Sequence, residues 1–289
     1  MPEPPAPLAR LRQHLHRTRL LGSISSALYY DQNTVMPAAG ASWRGEQLAL
    51  LASQLHERQS SAAYADLLAA AEDALPGDAP IALQRNLQLL RLELERQRCL
   101  DPALVQALAL AQSRGNALWQ EARRANDFNA FAPGLSKLLQ LRREQASQLA
   151  AAEPVARSPW EILAQPFEPD ISKAQLTSLF APLEAALPQL LERAAAARVP
   201  PGASAPAGDA GSAAELPEAL QEQLCSQLLQ SWGYDPGRCQ RSRSAHPFSC
   251  TLGPADFRIT TRVVAGQPFS AFLATAHEWG HSLYEQGLP

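Results

Sequence analysis

The sequence is poor in glycine and has no long apolar run. Glycine occurs 15 times in 289 residues, and no stretch of about 18 uncharged apolar residues, the length that crosses a bilayer, is present. The segment from Met1 to Arg19 carries prolines, arginines and histidines without an apolar stretch of signal-peptide length. We therefore expect no membrane partner and a cytoplasmic location.

Cysteine is scarce as well, and positive charge is not in excess. The four cysteines, Cys99, Cys225, Cys239 and Cys250, lie far apart without a Cys-x-x-Cys pair, which excludes a dense disulfide scaffold. Lysine plus arginine is 25 and aspartate plus glutamate is 28, a formal net charge of −3. Such a chain lacks the positive field that attracts nucleic acid, so we expect no nucleic-acid partner.

Leucine and alanine at helical spacing dominate the rest of the chain. Apolar residues recur every three or four positions through most of the first ~230 residues, which predicts a mainly α protein. We expect helices at about 8–30, 41–58, 60–74, 79–99, 102–124, 131–152, 172–197 and 216–232. Asp31-Gln32 is expected to end the first helix in a fixed corner. We expect one domain over residues 1–289, with a mobile Pro/Gly/Ala loop at 198–215.

The texture changes after residue 245 to a segment rich in β-branched residues. Phe248–Leu252 and Asp256–Val264 predict two short strands, with Gly253-Pro254 as the turn between them. Period two divides the second strand into two faces. The polar face is Asp256, Arg258, Thr260 and Arg262, and the opposite face is Phe257, Ile259, Thr261 and Val263.

The helical period returns at Pro268 and carries a His-Glu-x-x-His motif. Its apolar face is expected to comprise Phe269, Phe272, Leu273, Ala276, Gly280 and Leu283, with Gly287 as the stop. His277 and His281 project from adjacent turns, so both imidazoles can reach one tetrahedral metal ion. Glu278 is offset by about 100° and can take a proton from the attacking water and pass it to the leaving amine. That chemistry is peptide hydrolysis.

The motif supplies two metal ligands, whereas zincin sites have a third protein ligand. Glu285 is the candidate that follows, but residues 277, 281 and 285 spread along about 12 Å of helix rise, too far to meet at one ion. The site is therefore expected to be incomplete. A helix surface that happens to carry two histidines is the alternative interpretation.

Several segments together resemble the carboxypeptidase Taq family of zinc-dependent metallocarboxypeptidases. They are Tyr30-Asp31-Gln32-Asn33-Thr34-Val35-Met36-Pro37, Arg44-x-Glu46-Gln47-Leu48, His246-Pro247-Phe248, Asp256-x-Arg258-x-Thr260 and His277-Glu278-x-x-His281. The resemblance implies a large helical gluzincin-type peptidase scaffold with a small β-strand element before the active-site helix. Tyr30, Asn33 and Trp279 depart from the family pattern, and Trp279 is expected to narrow the cleft beside Glu278.

The resemblance also implies roles for individual residues. His277 and His281 are the zinc ligands, with Co²⁺ or Mn²⁺ as alternative metals, and Glu278 is the general base. The implied substrate-binding residues are Asp256, Arg258, Thr260 and His246. An arginine there can hold a peptide carboxylate, although an Asp–Arg pair can also serve only to fix a sheet edge. The implied partners are peptides with a free C-terminus, and the family allows a homodimer.

Three functions are open at this point. The first is a zinc-dependent metallocarboxypeptidase, and the second is an endopeptidase or oligopeptidase on the same scaffold, because the motif does not say where a peptide is cut. The third is a non-catalytic helical fragment. The resemblance places the third zinc ligand in a His-Glu-Ser-Gln segment beyond Pro289, so we expect the C-terminally incomplete, truncated part of such an enzyme, inactive as it stands.

Overall fold

The computed structural model describes residues 6–153, 155–196, 216–264, 267 and 269–288. Contacts divide the chain into two compact units, Met1–Ala152 with Leu216–Pro289, and Glu153–Glu215. The predicted loop at 198–215 lies outside the described residues, and the single domain stays a prediction. Within the described ranges, no helix combines the length and the apolarity needed to cross a membrane.

The mainly α prediction is confirmed. The helices are α1 (Ala6–Thr34), α2 (Ala41–Ser60), α3 (Ala62–Asp73), α4 (Ile81–Arg98), α5 (Pro102–Ala125), α6 (Phe128–Leu149), α7 (Pro159–Ala164), α8 (Lys173–Ala196), α9 (Glu218–Ser231) and α10 (Ser270–Gln286). Helix ends follow local chemistry. Asp101, for example, caps α5 by accepting a hydrogen bond from the Ala103 amide at 2.8 Å, with Pro102 as the first helical residue.

Two of the apolar clusters in the first unit join helices to one another. One joins α1, α3 and α4 through Leu8, Leu11, Tyr64, Leu68, Ala71, Leu87 and Leu94. The other joins α5 to α6 through Leu104, Leu108 and Leu141. Helix α2 lies against α5 at Gly45, where an added Cβ would meet Leu110 Cδ1 at 3.0 Å. Glycine at this position therefore lets the two helices approach closely.

The predicted corner after α1 is present. The Asp31 carbonyl accepts hydrogen bonds from the amides of Val35 at 3.1 Å and Met36 at 3.0 Å, which close the end of the helix. Arg44 of α2 donates to Asp31 Oδ2 at 2.6 Å and to the Leu28 carbonyl. The arginine thus fastens the end of α1 to the start of α2.

The small sheet has three strands, β1 (Cys239–Arg243), β2 (Ser249–Gly253) and β3 (Asp256–Thr261). Their order is β1-β3-β2, with β1 parallel and β2 antiparallel to β3. The two predicted strands are present, whereas β1 was not predicted. Its arginines face α9, where Arg241 pairs with Glu222 at 2.8 Å and Arg243 pairs with Glu218 and Glu222.

Helix α10 packs on this sheet with a face that differs from the predicted one. The buried stripe is Ala271, Thr275, Glu278, Trp279 and Ser282. Phe269 and Leu273, which belong to the predicted apolar face, are 67% and 64% exposed. The predicted face is therefore wrong for the described residues, because Trp279 and several small or hydroxyl side chains, rather than Phe269 and Leu273, lie against the strands.

The second unit contains α7, which was not predicted, and α8. Ser158 and Glu161 form a capping box at the start of α7. Hydrogen bonds from the Lys173 amide, and from the hydroxyl and amide of Ser158, lower the pKa of Glu161 to about 2. The carboxylate of this one residue therefore joins the starts of both helices.

Candidate metal and catalytic site

The two motif histidines lie on adjacent turns of α10 at a separation that suits one metal ion. Nε2 of His277 and Nε2 of His281 are 3.2 Å apart, and the ring planes are perpendicular. Two nitrogen ligands at 2.0–2.1 Å from a tetrahedral ion are about 3.3 Å apart. The pair fits a shared divalent cation, and the same separation lets one imidazole donate to the other.

Glu278 faces a cleft of about 590 Å³ on the inner side of the helix. Glu278 is 7% exposed, and its carboxylate forms no hydrogen bond or ion pair with another described residue. The residues that line the cleft are Ser26, His246, Pro247, Phe248, Ser249, Cys250, Thr251, Glu278, His281, Tyr284 and Glu285. An unpaired carboxylate in such a cleft remains available to a water molecule and a substrate.

Trp279 fixes the orientation of the motif by packing away from the cleft. It is 1% exposed and belongs to an apolar cluster with Leu229, Cys239, Phe257 and Ile259. Its Nε1 donates to the Trp232 carbonyl at 3.1 Å. The expectation that Trp279 narrows the cleft is therefore wrong, because the indole lies under the helix, whereas Glu278 and His281 face the cavity.

A buried pair of threonines ties the first turns of α10 to β3. Thr275 Oγ1 donates to Thr261 Oγ1 at 3.0 Å, and Thr261 Oγ1 donates to the Ala271 carbonyl at 3.2 Å. Both hydroxyls are almost fully buried and each has a partner. Satisfied polar contacts of this kind fix the position of the helix along the strand.

His246 reaches the cleft on a loop that Thr260 holds in place. Thr260 is fully buried, and its Oγ1 accepts hydrogen bonds from the Phe248 amide at 2.9 Å and from Ser244 Oγ at 2.7 Å. Because that loop covers Thr260, the polar face predicted for β3 is not continuous. Thr260 supports the wall of the cleft and does not line it.

Asp256 and Arg258 also lie outside the lining of the cleft. Arg258 donates to both carboxylate oxygens of Asp256 at 2.8 Å, and its guanidinium lies 5.0 Å from the ring centre of Tyr30. The hydrogen bonds to Asp256 raise the pKa of Arg258. Tyr30 in turn donates to Ser242 Oγ at 2.7 Å, so these contacts join α1 to the sheet.

The structure thus brings His246, Glu278 and His281 into one cleft and places Asp256, Arg258 and Thr260 behind its wall. Sequence reasoning missed Ser26 and Tyr284 as lining residues. Tyr284 follows His281 by three positions, a helical spacing that could have found it. Ser26 lies on α1, and no local pattern connects it to the motif. In the described ranges, no group of three His, Cys, Asp or Glu side chains is close enough to hold a metal ion.

Replacing Thr260 with valine should loosen the loop that carries His246. The change leaves the Phe248 amide without its side-chain acceptor, which costs about 1–3 kcal/mol in a buried setting. We expect a lower midpoint of urea unfolding and faster hydrogen exchange at the Phe248 amide. Thr251→Val is the matched control, because Thr251 lies on β2 and its hydroxyl has no partner among the described residues. Equal effects of the two substitutions would contradict the assigned role of Thr260.

The profile of the family described as "Carboxypeptidase Taq (M32) metallopeptidase" matches residues 10–289. The chain belongs to this family. The M32 chain is 32% identical to thermostable carboxypeptidase 1 of Thermus thermophilus over an alignment of 292 residues, which covers 99% of this chain and 56% of that protein. The resemblance stated from the sequence motifs is confirmed.

Two solved structures share the fold, and one of them is of an M32 carboxypeptidase. The M32 carboxypeptidase of Deinococcus radiodurans R1 superposes with a TM-score of 0.78 at 30% identity, over 98% of this chain and 54% of that chain. The fold of BsuCP matches with a TM-score of 0.86 at 24% identity, over 97% of this chain and 54% of that one. The M32 chain thus spans about half the length of the relatives it matches.

Proposed function

We propose that this chain carries the catalytic helix of a zinc-dependent metallocarboxypeptidase that acts on peptides with a free C-terminus. The observation that carries the proposal is the pairing of two imidazole nitrogens 3.2 Å apart with an unpartnered, buried glutamate that faces a cleft. Imidazole ligands suit zinc, with cobalt or manganese as alternatives. Family membership supports the peptide substrate, and the relative from Thermus thermophilus is named a carboxypeptidase.

His277 and His281 would hold the cation, which when bound supplies Lewis-acid chemistry to water and to a carbonyl. Glu278 accepts a proton from the attacking water and returns it to the leaving amine, because its carboxylate is free of other partners. Of the predicted substrate-binding residues, we assign His246 to direct contact with substrate. Asp256, Arg258 and Thr260 support the wall behind it, since their polar groups are already paired.

The third ligand of the metal is proposed to come from outside the described residues, so zinc binding by this chain should be weak. A cytoplasmic location is proposed with it. The four cysteines are all free thiols, as a reducing compartment keeps them.

Glu278→Gln should lower hydrolysis by about 100- to 10,000-fold, the usual contribution of a general base. The assay follows release of the last residue from an N-acetylated peptide by mass spectrometry, with zinc in excess because the motif helix supplies two ligands. Zinc binding should be retained, because Glu278 is not a ligand. Glu285→Gln is the matched control on the same helix and in the same cleft. Equal rates for Glu278→Gln and the unchanged chain, both above the background of zinc alone, would contradict the assigned base.

The same peptide with a C-terminal amide separates the alternative functions. Cleavage of the free acid alone supports a carboxypeptidase, and cleavage of both forms supports an endopeptidase or oligopeptidase. Absence of cleavage of either form by zinc-loaded chain supports the non-catalytic alternative. That last alternative is favoured by one observation, the lack of a third ligand among the described residues.

A further inference from the structure

A second cavity adjoins the cleft and shares part of its wall. This side chamber of about 530 Å³ lies between α1, α2, α5 and β2. Ser26, Ser249 and Cys250 line both the cleft and the side chamber. Because three lining residues are common to both, the cleft and the side chamber are immediate neighbours.

The lining of the side chamber carries no formal charge. Its titratable groups are Tyr29 and Cys250. Burial raises the pKa of Cys250 to about 11 and also raises the pKa of Tyr29, so both groups are neutral near pH 7. The cleft differs, because it contains Glu278, Glu285 and two imidazoles. A charged group in the side chamber would lose its hydration without gaining an opposite charge.

The side chamber nevertheless contains polar side chains that have no hydrogen-bond partner among the described residues. Ser25, Ser26, Gln112 and Ser249 have no side-chain hydrogen bond to another described residue. Gln32 and Ser113 are instead paired, since Gln32 Nε2 donates to the Ser113 carbonyl and Ser113 Oγ donates to Gln32 Oε1, both at 3.1 Å. The Gln32–Ser113 pair is held in place by its own hydrogen bonds, and the unpaired donors and acceptors around it can bind an uncharged polar ligand.

We propose that the side chamber binds uncharged residues of a peptide upstream of the scissile bond, and so determines specificity. The upstream direction rests on the proposed function, because a terminal carboxylate would find no cation among the lining residues. Peptide amides and neutral side chains can satisfy the free hydroxyls and the Gln112 amide. Acidic or basic residues at the same position should be rejected.

The test measures binding of N-acetyl-Xaa-Xaa-Ala-Ala, with Xaa as asparagine, glutamate or lysine, by isothermal titration calorimetry. Glu278→Gln chain is used so that no peptide is cleaved. We expect the asparagine peptide to bind about tenfold more tightly than the charged ones, because a charged residue stays unpaired in the side chamber. Ala109→Phe fills the space and should remove this preference, and Gln112→Ala should reduce it.

Matched controls lie on the same helix outside the side chamber. Ala125→Phe and Gln106→Ala replace exposed residues of α5 and should keep the preference. Equal affinities for the three peptides, no binding of any of them, or a preference that survives in Ala109→Phe would overturn the proposal. Gln112→Ala keeps the test valid should Ala109→Phe fail to fold.

This readout is separate from that of the proposed function. If the chain prefers the neutral peptide but the unchanged chain hydrolyses none, the proposed role of the side chamber stands and the proposed carboxypeptidase activity is wrong. If the unchanged chain hydrolyses peptides but binds the three peptides equally, the proposed activity stands and the proposed role of the side chamber is wrong.

Discussion

Replacing His281 with alanine should weaken zinc binding by at least about 100-fold, since even residues that only orient a ligand contribute 10- to 100-fold. The two Nε2 atoms lie 3.2 Å apart, a separation that suits chelation of one ion, and loss of either leaves a single imidazole. His277→Ala should have the same effect. The measurement is a zinc titration against a fluorescent chelator under reducing conditions.

His16→Ala is the matched control for these substitutions, because His16 is an exposed histidine of α1. Its zinc affinity should equal that of the unchanged chain. Unchanged affinity in both His277→Ala and His281→Ala would show that zinc binds elsewhere, for instance at a thiol.

Trp279→Ala should lower the free energy of unfolding by about 3–5 kcal/mol, the usual cost of removing a large buried aromatic side chain. The indole is 1% exposed, contacts the cluster under α10 and donates to the Trp232 carbonyl. Urea unfolding followed by circular dichroism measures the change. Trp279→Phe should cost less, because it keeps most of the apolar contact and loses the hydrogen bond.

Tyr284→Ala is the control on the same helix, because Tyr284 is 70% exposed. Its effect should lie within about 0.5 kcal/mol of zero, as for most surface substitutions. A similar small effect of Trp279→Ala would contradict the conclusion that the indole anchors α10 to the sheet.

The helix of the motif was predictable from the sequence, but its buried face was not. The spacing of apolar residues placed Phe269 and Leu273 on the buried face, but both side chains are exposed in the structure. The face on the sheet instead contains Thr275, whose hydroxyl is paired with Thr261. A single-sequence pattern cannot show that two polar side chains satisfy each other after folding.

Long-range placement explains the other differences. Strand β1 has the sequence Cys-Gln-Arg-Ser-Arg, without the apolar alternation that marks a strand. Its arginines form ion pairs with Glu222 of α9, which is distant in the sequence. The alternating pattern of β3 put Thr260 on the polar face, but the loop that contains Phe248 covers it. Helix α7 carried a local signal that could have found it, since Ser158-Pro159 precedes Glu161 in a capping box.

The most direct test of the central claim is an anomalous-difference X-ray map of zinc-soaked crystals of this chain. We expect one zinc peak about 2.0–2.1 Å from Nε2 of both His277 and His281, on the side where Glu278 faces the cleft. A zinc peak bound by Cys250 or another residue, with the two imidazoles unliganded, would contradict it.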